Sequence, residues 1–373
     1  MTSVATGQTI FMQRAIAMAQ QGMGRTAPNP AVGAVVVRDG QIVGEGFHPA
    51  AGEPHAEIFA LRQAGAAARG ADLYVTLEPC CHYGRTPPCT RAIIAAGIRR
   101  VFIGTQDPNP RVSGAGILAL REAGIETQVG LLQRQCDALI AGFTKHLQTR
   151  HPWTIYKAAM TLDGHTATAQ GDSRWVSGEQ SRLHVHRLRN RVEAIMVGIE
   201  TALADDPRLT VRLPQVAGRD PLRVVVDSRL RLPPGCRMLC QQSSATTLVA
   251  TVSTDQDKIR ALEQAGAEVL ILPAAAGQVC LPALWDELGR RNIQHLLLEG
   301  GSALATTALH AGLIDQLMIF IAPRLVGGVP QHGLFSGSGC AVMSETIPLT
   351  DVQYEQSGED LLMTARVQSC LPA

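Results

Sequence analysis

The segment Glu78–Cys89 reads EPCCHYGRTPPC, and it directly follows the apolar run Leu73–Leu77, which predicts a strand. The two prolines before Cys89 favour a helix that begins at that residue. Further upstream, a proline precedes His55-Ala56-Glu57 at the start of a predicted helix over 55–64. Strands and helices alternate outward from these two motifs, which predicts an α/β fold.

The two motifs carry a candidate metal site. His55, Cys80 and Cys89 supply one imidazole and two thiolates, a donor set that suits Zn²⁺. Three protein ligands leave the fourth position open for water, which indicates a catalytic site and one zinc ion per chain. Glu57 is the candidate general acid and base that moves protons between this water and a substrate nitrogen. Alternatively, this half is a non-catalytic zinc-binding module in which Glu57 has no role. Cys81 is either a spare ligand or a bystander thiol, and we expect a bystander.

The chain is long enough for two domains, and we place the boundary between domains 1–147 and 148–373. The first domain ends in a longer amphipathic helix predicted over 131–146. The second continues the alternation of strands and helices, then changes character, because its last strands follow one another without helices. This ending predicts a mostly parallel sheet that finishes in antiparallel edge strands. Those last strands are predicted near 314–321, 350–356 and 360–367.

Composition excludes several classes of protein. Hydrophobic residues make up 46% of the chain and charged residues 17%, which is enough apolar material for a packed core and excludes a disordered chain. The net charge of +1 and the 4% of aromatic residues do not fit a dedicated nucleic-acid binder. No apolar run approaches the length of a membrane helix. With nine cysteines and no visible secretory signal, we expect reduced thiols and a cytoplasmic enzyme that binds neither nucleic acid nor membrane.

Two strand ends in the second domain predict a further site. Lys157 lies in an otherwise apolar strand, and Glu299-Gly300-Gly301 joins a strand to a helix. The glycines allow the backbone to approach a phosphate, and the helix start offers free N–H donors. Lys157 and Glu299 would meet if both strands end on the carboxyl side of a parallel sheet, where open α/β sheets bind ligands, and there a cation and a carboxylate could assist proton movement as catalytic residues. The alternatives are a bare turn and an ordinary surface lysine.

The metal motif resembles the zinc-dependent nucleobase and nucleotide deaminases. Its eight-residue spacing between Cys80 and Cys89, with Pro28-Asn29-Pro30-Ala31-Val32-Gly33 upstream, is similar to the riboflavin-biosynthesis pyrimidine deaminases. The resemblance implies a cytidine-deaminase-like α/β/α domain that hydrolyses an exocyclic amine. Residues that it places on the substrate ring and phosphate are Asn29, His82, Arg85 and Thr86.

Strings in the second domain resemble the reductase half of the bifunctional riboflavin-biosynthesis family, and the resemblance covers the whole chain. It implies a dihydrofolate-reductase-like α/β domain that uses NADPH to reduce a ribosylamino to a ribitylamino group on a small phosphoribosyl pyrimidine. His165 stands where the family often has Lys. Residues implied to lie on the cofactor are Ala159, Trp175, Thr201, Asp205, Ser228, Gly301 and Ser302. Residues implied to lie on the substrate are Ser173, Arg189, Leu209, Arg212 and Glu299.

We expect a homo-oligomer, although the sequence does not set its order. The alternative function is a nucleic-acid or nucleotide zinc deaminase with an accessory domain, which a basic stripe with aromatic platforms would favour.

Overall fold

A computed structural model describes residues 2–83, 87–110, 112–214, 218–328 and 332–368 of the chain. The chain divides into two compact units, Met1–Thr149 and Arg150–Ala373. None of the helices in these described ranges is long and apolar enough to cross a bilayer.

The first unit is built around a five-stranded sheet of order β2-β1-β3-β4-β5. Strand β1 pairs antiparallel with β2 and β3, while β3, β4 and β5 are parallel. The elements are α1 (Thr2–Gly22), β1 (Gly33–Arg38), β2 (Gln41–Phe47), α2 (Ala56–Ala64), a 3₁₀ turn (Gly65–Ala68), β3 (Asp72–Leu77), α3 (Cys89–Ala95), β4 (Arg100–Thr105), α4 (Ala115–Glu122), β5 (Glu126–Val129), α5 (Gln133–Leu139) and α6 (Ala141–Thr149).

Helices cover both faces of this sheet. Successive side chains of β1 point to opposite faces, so Ala34 and Val36 pack with α2, α3 and α4, while Val35 and Val37 pack with α1 and α5. Gly46 in β2 lets α2 lie directly on the strand, since a Cβ there would be 2.6 Å from the carbonyl oxygen of Ala56. This close packing fixes the start of α2 relative to the sheet.

The second unit contains a nine-stranded sheet of order β10-β9-β8-β7-β13-β6-β14-β16-β15 and a two-stranded hairpin, β11-β12. Its elements are β6 (Trp153–Thr161), α7 (Glu179–Arg189), β7 (Ala194–Gly198), α8 (Ile199–Asp205), β8 (Leu222–Val226), α9 (Arg237–Cys240), β9 (Thr247–Thr251), α10 (Gln256–Gln264), β10 (Ala267–Ile271), β11 (Ala274–Ala275), β12 (Gln278–Val279), α11 (Leu281–Arg290), β13 (His295–Glu299), α12 (Ser302–His310), β14 (Gln316–Ala322), a 3₁₀ turn (Met343–Glu345), β15 (Leu349–Ser357) and β16 (Asp360–Val367).

Seven strands of this sheet, from β10 to β14, are parallel, and the last two, β16 and β15, are antiparallel. The prediction of a mostly parallel sheet with antiparallel edge strands is therefore confirmed. Strand β13 inserts between β7 and β6, although β6 and β7 are much closer in sequence. The middle of the sheet is thus made from distant parts of the chain.

The single helix predicted over 131–146 is wrong. The structure has two helices, α5 and α6, with a break at Ile140, whose backbone dihedrals leave the helical region. The apolar spacing continues across this break because Leu139, Ile140 and Phe143 all contribute to one core cluster. A hydrophobic period therefore cannot reveal an interruption of one residue.

Candidate active sites

The first site lies where the starts of α2 and α3 meet the end of β3. His55 is the N-cap residue of α2, and Cys89 is the first residue of α3. The Nδ1 atom of His55 lies 3.2 Å from Sγ of Cys89 and 3.6 Å from Sγ of Cys80, and the three donor atoms all lie within 4.8 Å of one another. This cluster has the donors and the size for one zinc ion. Cys81 is not part of it.

The protein environment favours a thiolate at Cys80. The side chain of Cys89 and the imidazole of His55 hydrogen bond to its sulfur and lower the pKa of Cys80 below that of a free thiol. The backbone N–H of Cys89 also donates to this sulfur at 3.3 Å. A donor at the start of a helix and a neighbouring imidazole are typical of metal-binding thiolates.

Glu57 follows His55 by two residues in the first turn of α2, and only 3% of its surface is exposed. Its Oε2 atom is buried without a hydrogen-bond partner in the described part of the chain. Burial and the charge of Cys80 raise the pKa of Glu57 to about 7. A carboxyl group with this pKa exchanges protons readily near neutral pH, as a general acid and base must.

A cavity of about 360 Å³ opens onto these residues. Asn29 and His48 line one wall, and Asn29 Nδ2 lies 3.0 Å from His48 Nε2. The other ring nitrogen of His48 lies 3.1 Å from the carbonyl oxygen of Pro54, which can only accept a hydrogen bond. Nε2 is therefore the acceptor, and the amide nitrogen of Asn29 donates to it. This arrangement fixes the orientation of the Asn29 amide.

The structure places His82 on the same cavity as Asn29, whereas the predictions for Arg85 and Thr86 lie outside the described residues. The sequence analysis missed several lining residues, among which the polar ones are His48, Glu53, Glu78, Asp107 and Asn109. One signal was available for Asn109, because Pro108-Asn109-Pro110 repeats the Pro-Asn-Pro string around Asn29.

The second site lies at the level where β13 ends. Lys157 and Glu299 are register partners on the parallel strands β6 and β13. Arg189 of α7 forms a bidentate ion pair with Glu299, with distances of 2.8 Å (Nε to Oε1) and 2.9 Å (Nη2 to Oε2). Burial opposes ionisation of Glu299, but Arg189 and Lys157 lower its pKa to about 2. Burial lowers the pKa of Lys157. The site therefore pairs the carboxylate of Glu299 with Arg189 and places Lys157 beside it on the neighbouring strand.

The other predicted substrate residues approach this group through α7. Nη1 of Arg189 donates to the carbonyl oxygen of Thr210, and Nη1 of Arg212 donates to its hydroxyl. The backbone N–H of Arg212 donates to Nδ1 of His186 at 3.2 Å. Burial and the two arginines lower the pKa of His186 to about 4, so its ring is a neutral acceptor. The side chain of Leu209 is buried, and its φ of 51° makes the turn.

Two glycines create a narrow space beside α8. Gly300 and Gly301 have φ angles of 67° and 66°, and a Cβ added to Gly300 would lie 2.9 Å from Thr201 Cγ2. Ser302 begins α12 immediately afterwards. Backbone N–H groups at a helix start suit a phosphate, so these residues fit a dinucleotide cofactor. Ala159 lies in β6, two residues beyond Lys157.

The remaining predicted cofactor residues lie in different surroundings. Trp175 is 62% exposed, and the guanidinium of Arg182 lies 4.9 Å from its ring centroid. Ser173 lies in the same loop. The carbonyl oxygen of Asp205 accepts a hydrogen bond from Arg174. Ser228 forms two hydrogen bonds with β12: its hydroxyl donates to Gln278 Oε1 and accepts from the backbone N–H of Val279.

Comparison with known families divides the chain in the same order. Residues 6–105 match the family model described as the cytidine and deoxycytidylate deaminase zinc-binding region. Residues 152–363 match the model described as the RibD C-terminal domain. The predicted fold class, a cytidine-deaminase-like domain followed by an α/β reductase domain, is confirmed.

Relatives align over nearly the full chain. The riboflavin biosynthesis protein RibD of Actinobacillus pleuropneumoniae is 44% identical, and the match covers 95% of this chain and 93% of the relative. The RibD protein of Escherichia coli K12 is also 44% identical, with 95% and 97% covered.

Solved structures have the same architecture. RibD of Acinetobacter baumannii has a TM-score of 0.83 at 36% identity, with 98% of this chain and 99% of that chain covered. The diaminohydroxyphosphoribosylaminopyrimidine deaminase and 5-amino-6-(5-phosphoribosylamino)uracil reductase of Thermotoga maritima has a TM-score of 0.82 at 36% identity, with the same coverage.

The fold and the two sites define a bifunctional enzyme in which a deaminase domain precedes a reductase domain on one chain. The chain belongs to the RibD family, whose members are the deaminases and reductases of riboflavin biosynthesis.

Proposed function

We propose that the first domain, 1–147, is a zinc-dependent deaminase that acts on 2,5-diamino-6-(5-phosphoribosylamino)pyrimidin-4(3H)-one. The observation that carries this proposal is the cluster of His55, Cys80 and Cys89 within 4.8 Å, with the buried carboxyl group of Glu57 two residues from His55. The name of the Thermotoga relative supports the choice of substrate.

The residues of this site have separate roles in the proposed reaction. Zinc held by His55, Cys80 and Cys89 would supply a water molecule activated for attack on the ring carbon that bears the amine. Glu57 accepts a proton from this water and delivers a proton to the leaving nitrogen, which departs as ammonia. Asn29, held by His48, presents its amide oxygen to an N–H group of the pyrimidine.

We propose that the second domain, 148–373, reduces the ribosyl side chain of the deaminated product with NADPH. NADPH would supply the hydride. The N–H groups at Gly301 and Ser302 would hold its phosphates. The further proposed cofactor residues are Trp175, Thr201, Asp205, Ala159 and Ser228.

The substrate side of this site is the charged group at the end of β13. Lys157 donates a proton to the sugar oxygen as the ring opens, and Glu299 holds the hydroxyls. Arg189 keeps Glu299 ionised and in place. Ser173, Leu209 and Arg212 complete the proposed substrate contacts.

Identification of the products by mass tests both proposals. The purified chain is incubated with the diaminopyrimidine phosphate, with and without NADPH. Without NADPH, we expect only the deaminated ribosyl compound. With NADPH, we expect the ribityl compound. Unchanged substrate in both incubations would contradict the proposed substrate.

Two substitutions separate the roles at the second site. Gly301→Val should weaken NADPH binding, because a β-branched side chain blocks the approach of a phosphate. Glu299→Gln should slow reduction with little change in NADPH affinity. Cofactor titration and single-turnover oxidation measure the two effects. The opposite pattern would show that the two roles are reversed.

We propose that the enzyme is cytoplasmic and homo-oligomeric, and cell fractionation and sedimentation velocity test these two points.

A further inference from the structure

Two loops leave neighbouring parallel strands at the same edge of the first sheet. Strand β3 ends at Leu77 and β4 ends at Thr105, and these two residues are register partners. The loop after β3 carries the zinc ligand Cys80. The loop after β4 carries Asp107 and Asn109, which line the cavity. The distance between a bound substrate and the metal therefore depends on how these two loops are held together.

Glu78, the first residue after β3, holds the two loops together. Its Oε2 atom accepts hydrogen bonds from the N–H groups of Asp107 at 3.2 Å and Gly114 at 3.0 Å. Its Oε1 atom accepts from Gly116 at 2.9 Å and Ile117 at 3.2 Å. The residue is only 4% exposed. A buried carboxylate that accepts four backbone N–H groups is fully satisfied and has one defined orientation.

These four donors lie at both ends of the second loop. Asp107 is near its beginning, and Gly116 and Ile117 are in the first turn of α4. The backbone N–H of Glu78 also donates to the carbonyl oxygen of Thr105 at 2.9 Å. The side chain of Glu78 therefore holds both the start and the end of the second loop. Because Glu78 directly precedes Pro79-Cys80, it holds them next to the loop that carries the zinc ligand.

The first turn of α4 packs directly on the backbone of Pro79, with no space for a side chain between them. A Cβ on Gly116 would lie 2.1 Å from the carbonyl oxygen of Pro79, so only glycine allows α4 to reach this turn. A change in the hydrogen bonds of Glu78 must therefore move the backbone of the loop.

We propose that Glu78 is a positioning residue for deamination, which sets the place of Asp107 and Asn109 relative to the metal ligands by fixing the loop between β4 and α4. This inference rests on the proposed deaminase function. Glu78 is not part of the metal-binding cluster. It borders the cavity, but both oxygens of its carboxylate accept hydrogen bonds from the loop, so it acts on substrate binding through the loop.

Glu78→Gln tests this role in the full-length, zinc-loaded enzyme. Glutamine has the same shape, but its amide nitrogen is a donor and cannot accept two of the four N–H groups. We expect the KM for the diaminopyrimidine phosphate to rise about tenfold or more, with kcat within about threefold of the normal value. Zinc content should not change. Hydrogen exchange of the amides of Asp107, Gly114, Gly116 and Ile117 should become faster.

Asp72→Asn is the matched control. Asp72 is likewise a buried carboxylate, but it is the first residue of β3, at the opposite end of the strand from Glu78, and it is paired with Arg99 and Arg100. We expect this variant to keep the normal KM and the protection of the four amides. A second variant, Gly116→Ala, pushes the same loop away while Glu78 stays intact, and it should raise KM in the same way.

Three results would overturn the proposal. Loss of zinc in Glu78→Gln would mean that the residue supports the metal ligands. A raised KM with unchanged amide protection would mean that Glu78 touches the substrate directly. A normal KM with fast amide exchange would mean that the loop does not position the substrate. If the proposed substrate itself is wrong, the unmodified enzyme releases no ammonia, while hydrogen exchange still reports the contact.

Discussion

At the scale of single residues, the proposed deamination depends on the carboxyl group of Glu57, which accepts and donates protons. Glu57→Gln keeps the size of the side chain but removes the proton that the carboxyl group exchanges. We expect zinc content to stay near one ion per chain and ammonia release to fall by about 10²–10⁴-fold, the usual contribution of general acid–base catalysis. Metal analysis and an ammonia assay measure the two quantities.

The control for this prediction removes a ligand instead of the proton carrier. Cys80→Ser should lose zinc and ammonia release together. A near-normal turnover in Glu57→Gln, or full zinc occupancy with normal turnover in Cys80→Ser, would contradict the assignment of the two residues.

The lowered pKa of Glu299 predicts that the free energy of unfolding decreases at low pH. Its pKa of about 2 in the folded chain lies below the ordinary value of 4.5, so the stabilisation is fully present above pH 4.5 and is lost as the pH falls towards 2. The shift corresponds to about 3 kcal/mol. Free energies of unfolding over this pH range should therefore fall more steeply for the unmodified chain than for Glu299→Gln. Parallel curves would contradict the prediction.

Residue patterns predict a site when its members are close in sequence. His55 and Glu57 stand two residues apart, and Cys80 and Cys89 bracket one short segment, so the donor set is visible without a structure. His48 and Asp107 reach the same cavity only because β2, β3 and β4 end near one another. The spacing of residues along the chain does not show that these strand ends lie close together.

At the scale of elements, glycine positions control how α2 meets the sheet. Gly46→Ala places a Cβ about 2.6 Å from the carbonyl oxygen of Ala56, the residue between His55 and Glu57. We expect a loss of about 1–3 kcal/mol in the free energy of unfolding, the usual cost of overpacking, and weaker zinc binding. Chemical denaturation and metal titration measure these effects.

Gly7→Ala is the control for this element, because nothing lies within 4 Å of the Cβ that it adds to α1. It should leave zinc affinity unchanged and should not lower stability, since alanine is the better helix former. Equal zinc affinity in Gly46→Ala and the unmodified chain would contradict the role given to Gly46.

Most helices and strands of this chain have bounds that local patterns predict closely, because they carry an apolar period or a short apolar run and end near a turn residue. The strands over 222–226, 267–271 and 360–367 are examples. The short helices α8 and α9 and the hairpin β11-β12 were not predicted. They have few residues, and tertiary contacts such as those of Ser228 with β12 hold them in place.

At the scale of the whole molecule, the two sites lie in separate compact units, Met1–Thr149 and Arg150–Ala373. Removal of zinc from the full chain by a chelator should abolish ammonia release and spare the reduction of substrate that is already deaminated. Ammonia release and the oxidation of NADPH are measured on the same preparation. Zinc added back should restore deamination, and loss of reduction together with the metal would show that the halves share one site.

The order of the strands in the second sheet could not be predicted. Local patterns show that β13 exists, but its place between β7 and β6 depends on long-range pairing. The pairing of Lys157 with Glu299 was expected only on the assumption that both strands end on one side of a parallel sheet.

The place of β13 also determines when each half can fold during synthesis. All strands of the first sheet lie within the first 129 residues, so this unit is complete soon after it leaves the ribosome. The centre of the second sheet stays open until residues 295–299 have emerged and paired with both β6 and β7. A growing chain can therefore assemble its metal-binding cluster before Glu299 has been synthesised to pair with Lys157. A ribosome that stalls after the first unit and before residue 299 leaves a nascent protein with only the first of its two sites.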